Sequence, residues 1–135
     1  MKNKITGGAA KVTLQVSNAR RGQGAPCTIQ ATASANGKVA AVYILVRGME
    51  SAEWKGDNNQ QVRNSRTSFE TRIQVAGPFD LVQGQTYTFQ AQIELPANVG
   101  PTYRGQLINH LWEAQAGLDM PGNDPDSGWQ AFQVD

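Results

Sequence analysis

Apolar and polar residues alternate one by one along much of this chain, the period of β-strands with one wet face. Residues 11–17 place Val12, Leu14 and Val16 on one side, with Thr13, Gln15 and Ser17 on the other. Residues 27–35 repeat the pattern with Cys27, Ile29, Ala31 and Ala33 inward. So do residues 67–76, through Phe69, Thr71, Ile73 and Val75, and residues 85–95, through Tyr87, Phe89, Ala91, Ile93 and Leu95. Residues 39–46 are apolar on both sides and rich in β-branched and aromatic residues, which suits a strand in the middle of a sheet. A long strand follows a Pro/Gly-rich corner at 96–105, runs through Trp112 to Leu118, and breaks at Asp119-Met120-Pro121. Residues 128–134 close the chain, with Phe132 and Val134 inward.

Turn chemistry separates these runs. Residues 18–26 carry Gly22 and Gly24, and residues 77–84 read as a turn region. Asn36-Gly37 suits the positive φ angles of a two-residue hairpin between its flanking strands. Gly48 predicts a bulge or a close approach. Residues 51–66, SAEWKGDNNQQVRNSR, are polar and aperiodic and read as a long mobile connection with only Trp54 as an anchor. About seven strands and no amphipathic helix predict an all-β, antiparallel two-sheet β-sandwich of immunoglobulin-like architecture. The 135 residues form one domain, with residues 1–10 as a flexible tail.

Charge and cysteine content narrow the classes. A net charge of +1 exerts no general pull on nucleic acid or an anionic membrane. The arginines at 20, 21, 47, 63, 66, 72 and 104 are dispersed against eleven acidic residues and make no phosphate track. The one cysteine, Cys27, excludes an internal disulfide and favours a reducing compartment. Lys2 and Lys4 are followed by ITGGAAK, without the apolar core of a secretory signal. Nor does any run approach the roughly 18 apolar residues of a membrane helix. These features predict a cytoplasmic setting.

Candidate chemistry is sparse. His110, the only histidine, shares a strand face with Ile108 and Trp112, and without an orienting partner and a nucleophile it reads as structural. Cys27 faces inward as a small hydrophobe. Asp119, Asp124 and Asp126, with Asn123, supply oxygen ligands of the kind calcium takes. Their spacing lacks an EF-hand pattern, and Pro121, Gly122 and Pro125 describe a turn equally well, so no metal is assigned. Trp54 and Trp129 are too few for a sugar-stacking ladder. The strand at 11–17 is a candidate sheet edge: Val12, Leu14 and Val16 would set the register of an added strand, unless Lys2, Lys4 and Lys11 discourage pairing.

The order of pieces resembles the arrestin-like fold, shared by arrestins, the retromer subunit of arrestin fold and bacterial sporulation-control proteins. Val39, Ala41, Ile44, Val46 and Gly48 are similar to its V-x-A-x-x-V-x-V-x-G strand. Tyr87-Thr88-Phe89 and Ile93-Glu94-Leu95-Pro96 precede Gly100-Pro101-Thr102-Tyr103-Arg104-Gly105, which resembles the family corner P-P-S-Y/F-x-G. Trp112-Glu113-Ala114-Gln115-Ala116 and Asp119-Met120-Pro121 follow at the family's spacing, and Trp112 falls where the family places a core aromatic. The likeness covers about residues 8–135. Arrestins proper have two sandwiches and an inter-domain polar core, and this chain has room for one, so phosphate sensing and receptor binding do not carry over. It is either a single-domain relative or the first half of something longer.

The resemblance implies a non-catalytic protein-interaction or scaffold module, an adaptor acting through edge strands and loops, in a bacterial or phage-like cytoplasm. Its expected partner is a protein or a second copy, through Val12, Leu14, Val16 and Trp54. No nucleic acid, membrane span, cofactor or small-molecule ligand is expected. The competing reading is a calcium- or carbohydrate-binding sandwich of an extracellular protein.

Overall fold

The computed structural model describes residues 8–135. The described residues hold ten strands and one 3-10 turn: β1 Ala10–Val16, β2 Gly24–Ala33, β3 Gly37–Val39, β4 Ala41–Lys55, β5 Gln61–Ala76, β6 Phe79–Leu81, β7 Thr86–Glu94, β8 Tyr103–Arg104, β9 Ile108–Asp119 and β10 Gln130–Phe132. One sheet has the order β1-β2-β7, and the facing sheet has β10-β9-β4-β5 with β8 beside β9. The pairings within these strands are antiparallel, and β3 with β6 forms a small ribbon at one end.

The single-residue alternation places the core. Val12, Leu14, Cys27, Ile29 and Ala31 point from the first sheet, and Val42, Ile44, Val46, Trp112, Ala114 and Leu118 from the second. Trp112 is the largest fully buried side chain, with the rings of Phe69 and Phe132 beside it. β4 lies between β9 and β5, and the outer face of its first half is covered too, with Tyr43 under the Arg72 guanidinium and bonded to Asp124. A register shift between Gly48 and Met49 marks a bulge opposite Ser68. The absence of a Cβ at Gly48 also leaves room for the Trp112 ring, which such a carbon would meet at 3.1 Å.

Several expectations are corrected. Asn36-Gly37 does not close a hairpin, because β2 and β4 lie in different sheets and the dipeptide sits where the chain crosses between them. Its Asn36 side chain accepts the Gln83 N–H (2.8 Å) and braces the neighbouring turn. The turn region after Gly77 contains β6, and the closing strand is shorter than expected, with Val134 instead forming a parallel bridge to Ala19. The tail expected at 1–10 falls mostly on residues outside those described, but Ala10 is a buried member of β1.

The largest correction concerns residues 51–66. These are not a loose connection: β4 and β5 pair continuously from Ser51↔Ser65 to Lys55↔Gln61, and Asp57–Asn59 turns the chain with Asn58 and Asn59 at positive φ. The result is an arm that carries the second sheet past its partner. Its apolar period is masked because both faces are wet, so polar residues satisfy the pleat as well as apolar ones do.

Candidate functional site

The arm grows from a root fastened by one corner of the chain. The Gly100 carbonyl accepts the Trp112 indole N–H (2.9 Å), and the Pro101 carbonyl accepts the N–H at Nδ1 of His110 (2.8 Å). Thr102 holds Val134 twice, its N–H donating to the Val134 carbonyl (2.7 Å) and its Oγ1 accepting the Val134 N–H (2.8 Å). The Gly100-Pro101-Thr102 run therefore ties β9 to the end of the chain, and Gly100 lies so close over the imidazole that a Cβ would meet it at 3.0 Å.

His110 is buried. A carbonyl can only accept, so Nδ1 carries a proton, and in the neutral ring Nε2 receives the hydroxyl of Ser68, at 2.6 Å. Both nitrogens are thus engaged, and the ring stacks edge-on against Trp112. Beside it opens a cleft of about 450 Å³ whose walls include Glu50, Arg66, Ser68, Asn98 and His110. A second cleft, of about 420 Å³, runs along the arm between Ala52, Asn64 and Ile108. The Glu50–Arg66 ion pair (2.8 Å) forms part of both walls. The Arg66 guanidinium holds the Glu50 carboxyl below its usual range, and Arg63 does the same for Glu53 further out, at 2.6 Å.

Directly opposed residues in antiparallel strands share a face. Ala52 opposes Ile108 and Trp54 opposes Val62, so these four lie on the arm's continuation of the core face. Leu107, whose carbonyl accepts the Glu53 N–H (2.7 Å), lies by the arm as well, whereas Leu111, opposite Met49, points to the other face of the sheet. Of the seven large hydrophobic residues exposed among the described residues, four lie together on the arm or at its root: Trp54, Tyr103, Leu107 and Ile108, each between 44 and 60% exposed. In a domain of this size, apolar exposure gathered in one place marks a contact surface more often than scattered exposure does.

The sequence-based candidates fall in different places. Trp54 stands on the arm. Val12 and Leu14 are buried and Val16 is half-buried, so β1, an edge strand, offers a partner its backbone and not those side chains. Asp124 accepts the Tyr43 hydroxyl (2.8 Å) and the Met120 N–H (3.1 Å), Asp126 accepts the Gly128 N–H (2.9 Å), and Asp119 faces Arg72 at 3.8 Å. Each carboxylate thus serves the turn or a neighbour, and among the described residues no three acidic, histidine or cysteine side chains converge on one point. Burial and the Asp124 carboxylate push the Tyr43 hydroxyl up to about 12, while burial raises the Cys27 thiol. Trp129 lies under the Arg47 guanidinium (3.8 Å), away from Trp54.

Ile108, Leu107 and Tyr103 were missed as surface residues, yet one signal was present. Glu50 with Arg66, Glu53 with Arg63, and Trp54 with Val62 are mirrored about Asn58, as expected of a hairpin whose rungs are charge pairs.

Two facing antiparallel sheets, with β9 following the Gly100-Pro101-Thr102 corner, define an arrestin-like β-sandwich. The fold is similar to the crystal structure of Spo0M, a sporulation control protein from Bacillus subtilis: TM-score 0.67, 19% identity, covering 95% of this chain and 50% of that protein. The chain therefore spans half the length of that neighbour. No family model and no curated protein matches the sequence. No helix among the described residues is long and apolar enough to cross a membrane.

Proposed function

We propose that this protein is a non-catalytic interaction module, a scaffold or adaptor working in a reducing cytoplasm, whose arm presents Trp54 and Ile108 to a protein partner. The observation that carries this reading is the concentration of exposed large hydrophobics at the arm. The Glu50–Arg66 pair borders that surface on the same face of the hairpin, an arrangement that keeps its edge wet until a partner covers it. The likeness to Spo0M supports the fold on which this rests.

A photo-crosslinking residue at position 54, compared in the native host with one at exposed Gln30 on the opposite sheet, tests the reading. A discrete protein adduct from position 54 alone is expected, diminished when Ile108 is replaced by serine. Equal adducts from both positions, or none from position 54, contradict it. Reactive chemistry has its own check, since Ser68 shares its hydroxyl with an oriented imidazole. Fluorophosphonate should leave Ser68 unlabelled, and rapid stoichiometric labelling would overturn the non-catalytic reading.

A further inference from the structure

β5 is the outermost strand of its sheet, sixteen residues long, and among the described residues its backbone hydrogen bonds run to β4 alone. A long open edge is a template for another strand, and charges on it normally decide which strand can approach. Here the charges are not uniform. Glu70 and Arg72 stand exposed on the outer face, and Phe69, Thr71 and Ile73 are half-buried on the inner one.

Glu70 makes no ion pair among the described residues. Its neighbour across β4 is Arg47, but that guanidinium is committed to Glu113 and to the Trp129 ring. Arg72 is only loosely held, 3.8 Å from Asp119 and over the Tyr43 ring.

We propose that the occupant of this edge is a second copy of the chain, its β5 antiparallel to the first with the two-fold axis at Thr71. In that register Glu70 of one copy faces Arg72 of the other, and symmetry makes the ion pair twice. Phe69 faces Ile73 of the other copy, also twice, so the half-buried inner faces continue into one another. Moving the axis by one residue sets Glu70 against Glu70, or Arg72 against Arg72. Placing it between residues sets inner positions against outer ones. Thr71 is the centre that satisfies both faces. Opposed side chains would stand about 5 Å apart, close enough for oppositely charged pairs to favour the register and like charges to disfavour it. The contact joins two five-stranded sheets edge to edge and leaves both arms uncovered. Because it buries little beyond the strand itself, the assembly is a weak, concentration-dependent dimer. The inference rests on reading the protein as an interaction module, and it assigns that module a second, independent surface.

Sedimentation equilibrium of the purified chain at rising concentration tests the proposal, through a charge-reversal cycle. The wild type should approach twice the monomer mass. Glu70→Arg alone and Arg72→Glu alone each set like charges against each other and should weaken association at least tenfold. Mixing the two single variants restores both pairs, as does combining the substitutions in one chain, so either should recover dimers. Recovery on mixing cannot come from a damaged fold. A wild type that stays monomeric at every concentration overturns the proposal, as does association that ignores the single reversals or fails to return on mixing. A monomer that still yields the adduct from position 54 removes only the self-pairing, whereas a charge-dependent dimer without that adduct removes only the arm's role.

Discussion

In β4, Val42, Ile44 and Val46 are fully buried, and a few residues further along the same face Ala52 is half-buried and Trp54 is open to water. The strand, the pleat and the pairing with β5 and β9 do not change along the way. What changes is the cover: the first sheet faces the body of the sandwich and ends before the arm begins. In the body, packing of apolar side chains at interior density supplies stability. On the arm, ladder hydrogen bonds and exposed ion pairs hold the hairpin, and pairs of that kind contribute little to the fold. The same alternation therefore builds a core in one place and a recognition surface in the other. Substitutions should separate the two.

The largest effect belongs to the body. Trp112→Ala removes the central side chain and its bond to the Gly100 carbonyl, and should cost about 3–5 kcal/mol by urea denaturation. Trp54→Ala, on the arm, should stay within about 0.5 kcal/mol of the wild type. Equal losses from the two would erase the distinction.

Gly117→Ala should come next. A Cβ there would meet the Tyr43 ring at 2.4 Å, and overpacking of that kind costs about 1–3 kcal/mol in thermal or urea melts. A smaller effect is expected from Tyr43→Phe, about 1 kcal/mol at neutral pH for the lost bond to Asp124. Its pH dependence is more telling. The Tyr43 hydroxyl is raised from 10.0 to about 12 in the folded protein, so its contribution is complete below pH 10 and is lost as pH rises towards 12. The phenylalanine variant should show a shallower alkaline decline than the wild type over that window.

The smallest effect concerns the arm at low pH. The Glu50 and Glu53 carboxyls are lowered by their arginines, so their support persists above the ordinary carboxylate range and fades as pH falls through the lowered values. Hydrogen exchange of residues 51–55 should quicken in acid before exchange in the core does.

The body was legible in the sequence because each strand there has one dry face. Val12/Leu14, Ile29/Ala31 and Ile93/Leu95 announce the pleat through composition alone, and the Gly100-to-Pro121 motif places β9 with its corner. Two things were not legible. Asn36-Gly37 has the chemistry of a hairpin turn, but whether its flanking strands pair is decided by long-range contacts that local preference does not encode. Residues 51–66 lack an apolar period because the arm has no dry face, and their order is visible only in charges mirrored about Asn58. The same limit explains the candidate contacts. Val12 and Leu14 were chosen for their alternation, and alternation marks what the core takes in. Ile108, read as interior for the same reason, lies beyond the edge of the covering sheet and is exposed.

Shortening the arm is the most direct test of the division. Residues 54–62 would be replaced by a two-residue Asn-Gly turn that rejoins Glu53 to Arg63, which already oppose each other, and the crosslinker moved to position 108. The expected result is an unfolding free energy within about 1 kcal/mol of the parent, with the protein adduct lost. An adduct that survives the deletion, or a sandwich that unfolds with its arm, would contradict it.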